Sequence, residues 1–103
     1  MSTNYQQGYA AEDNCKNYYK ELGCIAFRTA GSHGPADVVA IEPDGKHVHF
    51  IQVKKVKTEK TVKAAYREAF QEIVQIPRAD HIIREVWVKV YGKRGWAIQE
   101  IIG

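Results

Sequence analysis

The chain has 103 residues, enough for one hydrophobic core and too few for two, so residues 1–103 are read as a single domain. Hydrophobic residues at 45% and charged residues at 26% exclude disordered and fibrous classes, and no apolar run approaches the roughly 20 residues that span a bilayer. A net charge of +3 permits a polyanionic partner without requiring one, and the polar first residues are read as carrying no secretory signal, so an intracellular place is expected: cytoplasmic, nucleoid-associated or virus-encoded.

The first predicted element is a helix from Asn4 to Leu22, with Thr3 and Gln6 resembling a capping box and Gly23 as a stop. Gly8, Ala11, Cys15, Tyr18, Tyr19 and Leu22 recur at three- and four-residue spacings and define an inward stripe, into which Glu12 falls. Three strands are expected next: Cys24 to Thr29, Asp37 to Ile41 and Lys46 to Lys55, the last two joined in a hairpin by Pro43-Asp44-Gly45. A second helix is predicted from Glu59 to Val74, capped by Thr58, with Val62, Ala65, Ala69, Phe70 and Ile73 facing inward and Pro77 beyond its end. Strands from Arg84 to Tyr91 and from Gly95 to Ile101 complete an αβββαββ order, which implies an α/β fold with a mixed sheet flanked by helices. Cys15 and Cys24 form no Cys-x-x-Cys pair and read as reduced thiols, and the histidines lack standard zinc-ligand spacing, so no structural metal is expected.

The strand period of two puts Gln52 and Lys54 on the same side as Val48 and Phe50. An ammonium on an apolar face is costly without an anion, so Lys54 is expected to meet carboxylates, a metal-bound species or a phosphate. Asp37, opening the neighbouring strand, is the natural neighbour because hairpin pairing can bring it beside Gln52 and Lys54.

Glu12, then Arg28-Thr29-Ala30-Gly31-Ser32 leading to Gly34-Pro35-Ala36-Asp37, then Ile51-Gln52-Val53-Lys54, resemble in order and spacing the signature of the PD-(D/E)XK nuclease superfamily. The resemblance is closer still to its branch of archaeal and viral Holliday junction resolvases and their relatives, and it runs from about Tyr5 to Lys57. It implies a restriction-endonuclease-like fold and a phosphodiester hydrolase in which Glu12, Asp37, the amide oxygen of Gln52 and the backbone carbonyl of Val53 hold magnesium or manganese, hard cations that prefer oxygen. Lys54 would orient or deprotonate the attacking water and offset charge on the scissile phosphate. Ser32 resembles the family's loop serine near the phosphate and Arg28 its arginine in the preceding strand. With His33, Lys55, Lys57 and Lys60, these two make up the expected DNA contacts.

One departure from the pattern is Gln52, which stands where the family has an acid; its oxygen can ligate but carries no charge. Three readings follow: a structure-selective endonuclease for four-way DNA junctions, a non-catalytic nucleic-acid-binding module on the same fold, and a repair- or restriction-type nuclease for ordinary duplex. Taken alone, Glu12 is a boundary carboxylate and the run Lys54, Lys55, Lys57, Lys60, Lys63, Arg67 a solvated face; joined to Asp37 and Lys54 they read as a site and a phosphate track. Alternating Val86, Val88 and Val90 beside Trp87 and Trp96 suggest an apolar patch for a partner subunit, and symmetric cutting of two strands calls for a homodimer.

Overall fold

A computed structural model describes residues 4–29 and 34–103, with side chains from Tyr9 onward within those ranges. The expected Thr3 cap, Ser32 and His33 lie outside the described residues, as does the expected burial of Gly8. The elements run α1 (Asn4–Glu21), β1 (Ile25–Arg28), β2 (Val38–Ile41), β3 (Val48–Val56), α2 (Val62–Ile73), β4 (Ile82–Val90) and β5 (Ile98–Ile102), in the αβββαββ order read from the sequence. One five-stranded sheet takes the order β1-β2-β3-β4-β5. Among the described residues β3 and β4, the two strands that α2 connects, pair in parallel, and the other neighbours are antiparallel. Among the described residues no helix is long and apolar enough to cross a membrane.

Helix α1 stops where glycine permits it. Gly23 has φ +90°, its N–H donates to the Lys20 carbonyl (3.0 Å) and the N–H of Cys24 to that of Tyr19 (3.0 Å), a pair of bonds that satisfies the last turn. The inward stripe is narrower than its periodicity suggested. Ala11, Cys15 and Tyr19, one turn apart, are buried against β1–β3, while Tyr18 (47%) and Leu22 (58%) are exposed. A helix lying on a sheet makes one line of contact. Tyr18 sits a residue off that line and packs its ring edge on Tyr19 and Trp87, at 5.1 and 5.2 Å between centroids, and Leu22 follows the helix end.

Helix α2 corrects two further expectations. Thr58 is extended and makes no side-chain cap; a 3-10 turn over Glu59–Thr61 leads in instead, with the Thr58 carbonyl accepting from Thr61 Oγ1 (3.0 Å). Ala69 and Ile73 are buried, but Phe70 is not, because its position turns it to the flank where it meets Tyr66. The patch expected on β4 is core: Val86 and Val88 are buried on the α2 side and Trp87 on the α1 side, since a central strand between two helices is covered on both faces.

Under α1 lies a buried polar group that no motif announced. The Glu85 carboxylate accepts from the Tyr19 hydroxyl (2.6 and 2.7 Å to its two oxygens) and from Trp87 Nε1 (2.9 Å), and it meets His49 Nδ1. His49 Nε2 reaches Glu42 at 2.7 Å. Burial works against protonating His49, but its bonds to Glu85 and Glu42 outweigh burial and raise its pKa. A pKa raised on folding contributes stability that is fully present below the unfolded value and lost as pH climbs through the folded one. Urea unfolding of the wild type and His49→Asn should therefore differ more at about pH 6 than at about pH 9, bracketing the histidine range; a larger difference at the higher pH contradicts this assignment. Separately, Gly23→Ala, whose Cβ would meet Pro43 Cγ at 3.3 Å with φ +90°, should cost about 1–2 kcal/mol by the same method, and an unchanged midpoint would contradict the strain.

Candidate active site

The site begins where β2 ends and β3 continues. Strand β2 has four residues and pairs with Val48 to Ile51, whereas β3 runs on to Val56 beside β4 alone. Asp37 stands at this fork. Its backbone N–H donates to Ile51 O (2.8 Å) and its carbonyl accepts from Thr29 N–H (3.0 Å), so both neighbouring strands hold it. Its carboxylate Oδ2 accepts from the Val53 N–H at 3.0 Å, replacing the strand partner that β3 has just lost. Thr29 Oγ1 donates to Ala36 O (2.7 Å) across the base of the intervening loop. Burial pushes the Asp37 carboxyl up to about 6; the Val53 N–H and Lys54 pull the other way, while the charges of Glu12 and Glu72 add to the rise.

Gln52 and Lys54 project toward α2, on the side that carries Phe50 and Val56 into the α2 core. Gln52 is 3% exposed and donates through Nε2 to Pro35 O at 2.8 Å, with Glu72 Oε2 at 3.5 Å. Lys54 meets the carboxylates its position demands, but they come from α2: its Nζ lies 2.8 Å from Glu68 Oε1 and 2.8 Å from Glu72 Oε1. Burial would lower the ammonium's pKa; its hydrogen bond to Glu68 and its ion pair with Glu72 prevail and raise it. Asp37, expected as the direct partner, acts on Lys54 through space rather than by a bond.

Glu12 sits beside the buried seam of α1, and its Oε1 accepts from Arg28 Nε at 3.2 Å. The Arg28 guanidinium carbon lies 3.4 Å from the Tyr9 ring centroid, and the largely buried arginine side chain holds Glu12 beside the fork. Glu12, Asp37, Gln52, Val53 and Lys54 thus come from three segments to one end of the sheet. Ser32 and His33 remain outside the described residues. Lys57 and Lys60 are exposed, and Lys55 has its Nζ 5.1 Å from the Tyr91 ring centroid. The same edge of the fold carries Lys93 and Arg94, because Tyr91 N–H donates to Val56 O (2.8 Å) and Lys93 Nζ lies 3.4 Å from Glu59. Neither these two nor Glu68 and Glu72 stood out in the sequence; the four-residue spacing of the glutamates facing a strand lysine was the available signal.

Among the described residues no group of three or more His, Cys, Asp or Glu side chains is arranged to hold a metal ion. The set expected from the sequence contains only two acids, with an amide and a carbonyl, and every one of these donors is a hard oxygen. Its chemistry fits a divalent cation: burial disfavours the Asp37 carboxylate and the charges of Glu12 and Glu72 add to that, and a cation would offset both.

A family model described as archaeal Holliday junction resolvase (Hjc) matches residues 3–98. Among solved structures, the 1.6 Å structure of Archaeoglobus fulgidus Hjc, a Holliday junction resolvase from an archaeal hyperthermophile, is similar to this chain with 23% identity and a TM-score of 0.46, over 82% of this chain and 68% of that one. No curated protein sequence matches. The match to the family model covers nearly the whole sequence, from the start of α1 to the start of β5, and the chain belongs to the archaeal Holliday junction resolvase family.

Proposed function

We propose that this chain is a metal-dependent, structure-selective DNA endonuclease that hydrolyses phosphodiester bonds at four-way junctions. The observation that carries this reading is the Asp37 carboxylate tied to the Val53 N–H at 3.0 Å beside Gln52-x-Lys54, in a member of a resolvase family. Asp37, the Val53 carbonyl, the Gln52 amide oxygen and Glu12, directly or through water, would hold magnesium or manganese. When bound, such an ion supplies Lewis acidity to the phosphate and lowers the pKa of a water molecule. Arg28 keeps Glu12 in place. Lys54 orients the attacking water and places a positive charge against the negative charge growing on the phosphate. Ser32 and His33 would contact the phosphate from the loop before Asp37. Lys55, Lys57 and Lys60 track the flanking backbone, with Lys93 and Arg94 on the same edge. A two-fold homodimer with two equivalent sites suits symmetric cutting of a junction, and its contact surface lies away from β4, whose valines are buried.

Labelled four-way junctions in magnesium should be cut, and Asp37→Ala and Lys54→Ala should each lower the rate by about 100-fold or more. Absence of metal-dependent cleavage on junction, flap and linear duplex alike would overturn the enzymatic reading in favour of a binding-only module, and equal cutting of linear duplex would overturn junction selectivity. Junction binding should weaken with salt; in the double variant Lys57→Ala, Lys60→Ala the log–log salt slope should fall by roughly 1 per lysine that contacts a phosphate. An unchanged slope removes these lysines from the interface.

A further inference from the structure

Strand β3 offers a neutral amide where the family pattern has an acid, and helix α2 brings an acid to the same place. Glu68 and Glu72 are one turn apart on α2, which packs on β3, and both lie 2.8 Å from Lys54 Nζ. They are not equivalent. The Glu68 side chain is 69% exposed and reaches only the lysine, whereas that of Glu72 is 34% exposed and also lies 3.5 Å from Gln52 Nε2. Glu72 Oε1 is sealed from solvent, and although the ammonium is close, no donor is aligned on it. A shielded carboxylate oxygen without a directed hydrogen bond is costly in a folded protein unless something else completes it. Gln52 does not complete it, because its Nε2 donates to Pro35 O and approaches the other carboxylate oxygen, Glu72 Oε2, at 3.5 Å.

Resting on the cation site proposed above, we infer that Glu72 supplies the carboxylate that Gln52 lacks and is itself a ligand, direct or through water, of the divalent ion held by Asp37. Lys54 then has two distinct partners: Glu68 is a surface counter-ion, and Glu72 is shared between the ammonium and the cation. Besides the ligand oxygen proposed above, Gln52 has a positioning role, its amide N–H tethering Pro35 and facing Glu72. The acid has in effect been moved from the strand to the helix facing it.

Calorimetric titration of the 103-residue chain with Mn²⁺, without DNA, separates this assignment from a plain ion pair. Glu72→Gln should weaken Mn²⁺ binding by roughly 10- to 100-fold, Glu68→Gln should leave it unchanged, and adding Gln52→Glu to Glu72→Gln should restore it. Wild-type affinity in Glu72→Gln, equal losses in Glu72→Gln and Glu68→Gln, or no restoration by Gln52→Glu would each overturn the assignment. Asp37→Asn provides the separate arm. If it abolishes binding while Glu72→Gln does not, the role of Glu72 alone is lost; if it binds Mn²⁺ as the wild type does, the cation site itself is lost.

Discussion

The hydrogen bond from the Val53 N–H to the Asp37 carboxylate is the constraint on which the rest of the site depends. A strand that outlasts its neighbour leaves an N–H without a partner, and an unpaired buried N–H costs about 1–3 kcal/mol. Asp37 satisfies it with a side chain, and the carboxylate is thereby fixed against the backbone of the very residues that flank it in the site. One bond therefore does two things: it closes the end of the β2–β3 ladder and aims an anionic oxygen at the fork. The remaining parts are hung from that point, with Glu12 arriving from α1 through Arg28, and Gln52 and Lys54 arriving from β3 by the strand period.

Charge is what distinguishes this end of the molecule. Asp37, Glu12 and Glu72 outnumber Lys54 and Arg28 locally; burial does most to raise Asp37 to about 6, and the charges of Glu12 and Glu72 add to it. Under α1, the buried Glu85 of β4 is surrounded by donors: the Tyr19 hydroxyl, the Trp87 indole and His49. Both places hold buried carboxylates, but Glu85 is saturated by its own fold and Asp37 has one backbone N–H and other carboxylates near it. Saturated polar groups lock packing; unsatisfied ones point to something that binds.

Much of this could be read from the residues alone, and the failures have common causes. The element order, the mixed sheet and the shared face of Gln52 and Lys54 follow from periodicity, which is a local property of the chain. Periodicity points Tyr18, Leu22 and Phe70 inward because it fixes a direction but not the width of the contact line, which depends on the sheet beneath. The residue type of Thr58 suits a cap, although a 3-10 turn takes up the start of the helix. Alternation of the β4 valines describes a strand with one open face, and here α1 and α2 cover both. The partners of Lys54 are hidden for a related reason: Glu68 and Glu72 are ordinary helix-surface residues until α2 is laid against β3.

The central claim is that a divalent cation is shared at the fork between Asp37 and the Gln52 to Lys54 segment. Paramagnetic Mn²⁺ added to the ¹⁵N-labelled chain tests it most directly, since the ion broadens the amide resonances nearest to it. Broadening should centre on Asp37, Val53 and Lys54 and vanish in Asp37→Asn. Broadening centred instead on His47, His49 and Glu42, or spread without a centre, would contradict the account.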